Sequence, residues 1–225
     1  MPAREGDPVA GPGVDPTGNP ASEHPTAAPS AARATDALGA ETPTDVTGVE
    51  TPTDAPGPVS LTTHSEAETL ALGAALSRHA TAGSVILLHG DLGAGKTVLA
   101  RGFATALGIA GPIQSPTFSL VAEYDGTSPD GTPLRLYHLD LYRLDPADLA
   151  SFGFEDYAPS EDGVSLIEWP ERAVGQLPAE YLLVRIEQVG EEQREITVEA
   201  VPGNGVHGRW VKGVPGLFRR GERGR

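Results

Sequence analysis

The chain predicts an α/β fold: a mixed sheet with a parallel core and antiparallel additions, flanked by helices. Three observations carry this. Val85-Ile86-Leu87-Leu88 is a short, unbroken apolar run, the pattern of a strand buried on both faces. It leads through Gly90 into a glycine-rich stretch, after which a helix is expected from about Gly95 to Leu107. Farther on, short strand-like segments are joined by Gly-containing turns, the sign of antiparallel pairs.

The elements follow in order. Ser65 and Glu68 stand at capping-box spacing ahead of Leu70, Leu72 and Leu76, so a first helix is expected over about 66–79, broken by Gly83. The 85–88 strand comes next, then the 95–107 helix with Gly108 as its stop. Phe118, Leu120, Ala122 and Tyr124 alternate with Thr117, Ser119, Val121 and Glu123, which reads as a strand. A loop holding Asp125-Gly126 and Asp130-Gly131 leads to a return strand, Leu134 to Leu141. Asp145-Pro146 has the N-cap and N1 pattern of a short helix that Gly153 closes. Val164 to Ile167 is another apolar strand, and Leu182–Glu187 with Arg194–Ala200 forms a terminal hairpin around Gly190. The predicted order is α, β, α, β, β, α, β, β, β.

Composition sets the boundaries. The 225 residues contain no Cys, which excludes disulfides, thiolate nucleophiles and Cys-ligated zinc. No apolar run is long enough to span a bilayer, and the N-terminus lacks the apolar core of a signal peptide, so a soluble, cytoplasmic protein is expected. The net charge of −15 is unevenly spread. Residues 1–58 carry two basic and nine acidic groups, hold eleven of the 21 prolines, and have no aromatic residue. Such a segment buries too little apolar surface to offset its ordering entropy, so a disordered tail is expected. Its one internal repeat, ETPTD at 41–45 and 50–54, is too short to form a structural unit. Residues 203–225 are rich in Gly and Arg, with six basic groups against one acidic, and read as a basic flexible arm. That leaves one domain at 59–202, with a net charge of −13. An acidic body argues against a broad nucleic-acid face, because phosphate contacts need clustered Lys and Arg. A polyanion would be met at a local spot or through a partner protein.

Residues 90–97, GDLGAGKT, carry the chemistry. Gly90, four residues, Gly95, Lys96 and Thr97 match the P-loop pattern, between a buried strand and a helix as that motif requires. The fold expectation thereby sharpens to a P-loop NTPase-like sheet. Asp91, Leu92, Gly93, Ala94, Gly95, Lys96, Thr97 and Val98 are the expected nucleotide-binding segment. Its glycines permit positive φ and close approach of the backbone, so that successive N–H groups cradle phosphate at a helix N-terminus. Lys96, one of only two lysines, places a compact ammonium at the β- and γ-phosphates. Thr97 offers a hydroxyl to Mg²⁺. Two carboxylates are candidates for the acid that a bound metal needs. Asp140 lies in the strand 136–141, and Glu168 ends the strand 164–168, the position that favours it. His138 reads as structural and Trp169 as a packing residue.

Four motifs together resemble the TsaE family, formerly YjeE, the small ATPases of bacterial tRNA threonylcarbamoyladenosine biosynthesis. They are GDLGAGKT, SPTFSLVAEY at 115–124, YHLDLYRL at 137–144 and LIEWPER at 166–172, within a likeness covering about residues 60–202. The resemblance implies that ATP and Mg²⁺ are used, with Thr97 and Glu168 holding the metal. It implies that Asp140 acts near the γ-phosphate or its attacking water, beside the Lys96 ammonium. Ser115-Pro116-Thr117 would form a switch-like loop, Trp169 would lie beside the site, and Glu66 and Arg194 would lie near the nucleotide. It implies TsaD-like and TsaB-like partners that carry out the transfer, tRNA met indirectly through that complex, and no membrane or DNA.

Two rivals are weaker. A small P-loop kinase acting on a metabolite would need an acceptor pocket and usually an Arg-bearing lid, yet residues 59–202 hold only eight basic residues and no Arg-rich insertion. A regulatory GTPase would need an Asn-Lys-x-Asp motif for guanine, but the only asparagines, Asn19 and Asn204, do not precede Lys. No arginine finger is legible. Arg143 and Arg172 read as surface ion-pair residues, so slow intrinsic turnover and completion of the site by a partner are expected.

Overall fold

A computed structural model describes residues 55–145, 148–203 and 205–214. Strand β1 is Val59–Thr63 and helix α1 is Glu66–Leu76, extended by a 3₁₀ turn at Ser77–His79. Then come β2, Val85–His89, and α2, Lys96–Ala106. Strands β3, Val121–Thr127, and β4, Pro133–Asp140, form a hairpin. Helix α3 is Leu149–Phe152, and β5 is Gly163–Glu168. Strands β6, Tyr181–Gln188, and β7, Arg194–Val201, make a second hairpin, and α4 is Gly208–Gly213.

All seven strands form one sheet in the order β1-β7-β6-β2-β5-β4-β3. The inner pairs β6/β2, β2/β5 and β5/β4 are parallel, and the outer pairs are antiparallel. Residues of β2 alternate between two cores, as a strand buried on both faces must. Ile86 and Leu88 pack with Leu72, Leu99, Phe103 and Trp210 on the α1/α2/α4 side. Val85 and Leu87 pack with Leu139, Phe154, Ile167 and Leu183 on the other.

The helix ends follow their caps. The Ser65 hydroxyl accepts from the Glu68 N–H at 3.2 Å, and the Glu68 carboxylate accepts from the His64 N–H at 2.8 Å. This is a capping box displaced by one residue on its return bond. Helices α1 and α2 meet at Gly73 and Gly102, where a Cβ would come within about 2 Å of the facing backbone.

Four expectations are corrected. The third strand begins at Val121, not at 117: Leu120 has φ 66° and its N–H bonds to the Pro116 carbonyl at 2.7 Å, closing a turn that leaves Phe118 in solvent. Helix α3 is described from Leu149 with Asp148 at its N-cap, three residues beyond Asp145, and Pro146 lies outside the described residues. Strand β1 precedes the first helix; it alternates exposure and was too short and polar to read in the sequence. Part of the expected C-terminal arm is folded, because α4 buries Trp210, Val211 and the following Val214 against the core. Residues 204 and 215–225 of that arm, and residues 1–54 of the expected 1–58 tail, lie outside the described residues. No described helix is long and apolar enough to cross a membrane.

Candidate nucleotide-binding site

The topology delivers the site. The loop 90–97 leaves the C-terminal end of β2. Asp140 and Glu168 are register partners at the C-terminal ends of the parallel strands β4 and β5, and Leu88 is register partner to Glu168. Ligands of open α/β sheets bind at this end of the strands.

The loop conformation needs its glycines. Gly90 has φ 150°, and a Cβ there would lie 2.3 Å from the Ile186 carbonyl oxygen of β6. Gly95 caps α2 at φ 114°, a conformation that L side chains rarely adopt. The Lys96 ammonium is buried beneath the loop. It donates to the Gly90 carbonyl at 2.7 Å and the Asp91 carbonyl at 2.9 Å, and lies 3.9 Å from the centroid of the Trp169 ring. Burial pushes its pKa below the usual 10.5, while Glu168 first, then Glu171, Asp140 and Asp91, oppose that shift.

The two carboxylates have different partners. Glu168 Oε1 accepts from the Thr97 hydroxyl at 2.9 Å and faces His138 Nε2 at 3.0 Å. Since a carboxylate oxygen accepts, Nε2 carries the proton, and the buried His138 Nδ1 has no partner among the described residues. His138 therefore acts as a prop for Glu168. Asp140 Oδ2 accepts from the hydroxyls of Ser115 and Thr117, the latter at 2.6 Å, and its Oδ1 accepts from the Tyr142 N–H at 3.0 Å. Asp140 thus ties the loop 115–120 to the end of β4.

These groups line one cleft of about 540 Å³, with Lys96, Thr97, Asp140, Glu168, Phe118 and Trp169 among its walls. Leu92, Gly93, Gly95 and Val98 line it too. Asp91 and Ala94 contribute carbonyls instead, to Lys96 and to Arg194 respectively. Glu66 and Arg194 lie one step away, in a neighbouring cavity of about 310 Å³ that shares Gly95 and Val98 with the first. Arg194 Nε donates to the Ala94 carbonyl at 2.8 Å and so clamps the loop from β7. Glu66 pairs with Arg101 of α2.

Sequence reasoning missed the aromatic rim. The Tyr142 ring stands 4.8 Å from that of Trp169, and the Arg143 guanidinium lies 4.4 Å over the ring of Phe118. Arg143 therefore stacks on an aromatic ring, where an ion pair was expected. The signal was present in the Tyr-Arg pair just after Asp140, but nothing local says that Phe118 would turn outward to meet it.

The donor set suits Mg²⁺, a hard cation that takes one or two protein oxygens and fills its shell with water and phosphate. The Thr97 hydroxyl and Glu168 carboxylate adjoin one another, and among the described residues no cluster of three or more His, Asp or Glu side chains is arranged to enclose a metal.

A family described as threonylcarbamoyl adenosine biosynthesis protein TsaE has a model matching residues 63–196. The chain belongs to the TsaE family. The Bacillus subtilis tRNA threonylcarbamoyladenosine biosynthesis protein TsaE is 42% identical over 134 residues, covering 60% of this chain and 80% of that relative. The TsaE of a Nostoc species is 47% identical over 135 residues, covering 57% of this chain and 79% of its own. The crystal structure of Bacillus subtilis YdiB superposes with a TM-score of 0.56 at 36% identity, covering 72% of this chain and 95% of that one. The TsaE match contains the loop 90–97, the 115–120 loop, Asp140 and Glu168, and stops before α4.

Proposed function

We propose that this TsaE-family chain is a cytoplasmic ATP-binding and ATP-hydrolysing accessory protein of tRNA N6-threonylcarbamoyladenosine modification. It would work with TsaD-like and TsaB-like proteins and meet tRNA through that complex. One observation carries the reading: the Lys96 ammonium, the Thr97 hydroxyl and the carboxylates of Asp140 and Glu168 converge on a single cleft above the 90–97 loop.

ATP is the substrate in this reading. Backbone amides of residues 91–98, at the N-terminus of α2, would hold its phosphates. Lys96 would exchange the Gly90 and Asp91 carbonyls for phosphate oxygens, since a charged acceptor makes the stronger hydrogen bond. Thr97 and Glu168 would hold Mg²⁺, which when bound supplies charge neutralisation at the phosphates. Asp140 would act at the γ-phosphate side, and its bonds to Ser115 and Thr117 would make the 115–120 loop respond to the nucleotide. Lys96 and Arg143 are the cations lining the cleft, and Arg143 is engaged with Phe118. Developing charge at the γ-phosphate is therefore incompletely compensated, and turnover by the chain alone should be slow.

The test is ATP hydrolysis by the purified chain, alone and with TsaD-like and TsaB-like partners, using Lys96→Ala as control. Slow turnover that the partners raise, and that the variant loses, supports the reading. Turnover by the chain alone at the ~1–100 s⁻¹ typical of kinases would overturn the role given to the partners.

A further inference from the structure

We propose a second anion site at the opposite end of the sheet, where Arg78 and Arg209 make a weak, direct contact of their own with the phosphate backbone of the tRNA that the partner complex brings. The choice of RNA over an acidic protein segment rests on the function proposed above.

Residues 78–84 lead into the N-terminal end of β2, whereas the nucleotide loop leaves its C-terminal end. Five residues of strand separate the two sites by roughly 16 Å. Two adjoining cavities lie at this far end, of about 370 and 280 Å³, and they share His79, Thr81, Ala82 and Arg209. Arg78 and Arg209 are exposed, and neither makes an ion pair with a described residue. Arg143, Arg172 and Arg194 form none either, but Arg78 and Arg209 line the same cavity. Among the described residues, the only carboxylate lining the larger cavity is Asp130. Its Oδ1 already accepts from the Ser128 hydroxyl and from the Thr132 N–H and hydroxyl, which disperses its charge.

His79 registers the local field. Burial first, then Arg209 and Arg78, hold its pKa below 6.5, so the ring is neutral at pH 7 and available as a hydrogen-bonding group. It packs 6.0 Å from the Trp210 ring, which fixes α4, and with it Arg209, beside the 3₁₀ turn that carries Arg78.

The sequence beyond continues the same chemistry. Gly213 abuts His79, with a Cβ position 3.0 Å from Nε2, and residues 215–225 follow with Arg219, Arg220, Arg223 and Arg225 against Glu222 alone. Five of the six cations in residues 203–225 are arginine. Guanidinium forks match phosphate oxygens bidentately, and a cleft that local cations make positive is the kind of spot at which an acidic protein meets a polyanion. The TsaE match ends before α4, so this site lies partly outside what the family shares.

The experiment is fluorescence anisotropy of a labelled, unmodified tRNA transcript with the full chain between 50 and 200 mM salt. Binding should weaken linearly in log–log form as salt rises. Arg78→Ala/Arg209→Ala should reduce that slope by about two, one for each phosphate left without its guanidinium, while circular dichroism and Mg-ATP binding stay as in the parent. Arg78→Lys/Arg209→Lys should restore the slope. Absent binding at 50 mM salt, or an unchanged slope in the alanine variant, overturns the proposal. Poly-L-glutamate binding more tightly than tRNA overturns the choice of RNA. Failure of the parent to bind Mg-ATP would sink the nucleotide reading alone, because the salt slope is measured without nucleotide.

Discussion

Replacing Gly102 by alanine should destabilise the protein, although alanine is the better helix former by about 1 kcal/mol. A Cβ at Gly102 would lie 2.0 Å from the Leu70 carbonyl oxygen and 2.8 Å from Leu70 Cα. Both atoms belong to the backbone of α1 and cannot turn aside. To restore an ordinary contact of ~3.4 Å, the two helices must part by roughly 1.4 Å, and close packing makes such a gap costly. Opened over about 100 Å² of helix contact, it leaves roughly 140 Å³ unfilled, or ~3 kcal/mol at ~24 cal/mol per Å³. Local strain adds ~1–2 kcal/mol. Less the gain in propensity, the net loss is ~3–4 kcal/mol, a fall in melting temperature of roughly 6–16 °C for a domain of this size. Gly73→Ala should behave alike, since its Cβ would lie 2.1 Å from the Leu99 carbonyl oxygen. The double variant should lose less than the sum, because both shims separate the same two helices. Thermal unfolding followed by circular dichroism measures all three. A Gly102→Ala protein that melts at or above the parent temperature would refute the close approach of α1 and α2.

Asp140→Ala removes the acceptor for Ser115, Thr117 and the Tyr142 N–H, so the 115–120 loop should gain amide hydrogen exchange and stability should fall by ~2–4 kcal/mol; unchanged protection there would count against the tether. Glu168→Ala should raise the Mg²⁺ concentration needed for nucleotide binding, and if the metal titration does not move, the metal role passes to Asp140. ATP should displace a labelled nucleotide far better than GTP, and equal displacement would contradict the adenine preference. His207 is buried with neither ring nitrogen partnered among the described residues, and burial lowers its pKa from 6.5. The unfolded chain then binds the proton more readily, so stability present above pH 6.5 should be lost as pH falls toward His207's own pKa. His207→Leu should flatten the melting-temperature profile between pH 7 and 5, and an equally steep profile would remove His207 as its source.

Much of the site was legible because its residues are placed by strand ends. A continuous apolar strand running into GDLGAGKT fixes Lys96 and Thr97. Glu168, closing another apolar strand, reaches the same place because the two strands are parallel neighbours. What could not be read depends on partners distant in sequence. The alternation over 117–124 fits a strand, but Asp140 captures Thr117 across 23 positions and Leu120 turns to positive φ. Helix α4 hides in a Gly- and Arg-rich segment whose composition reads as an arm. It folds because Trp210 finds Phe103 at 6.4 Å and His79 at 6.0 Å, contacts that local sequence does not announce.

Calorimetric titration of Mg-ATP into the full chain, beside Lys96→Ala, reaches the core of the account. Saturable binding by the parent that needs the divalent ion and disappears in a folded Lys96→Ala protein is the expected result. Binding that the variant retains undiminished, or a well-folded parent that takes up no Mg-ATP even with its partner proteins present, would contradict it.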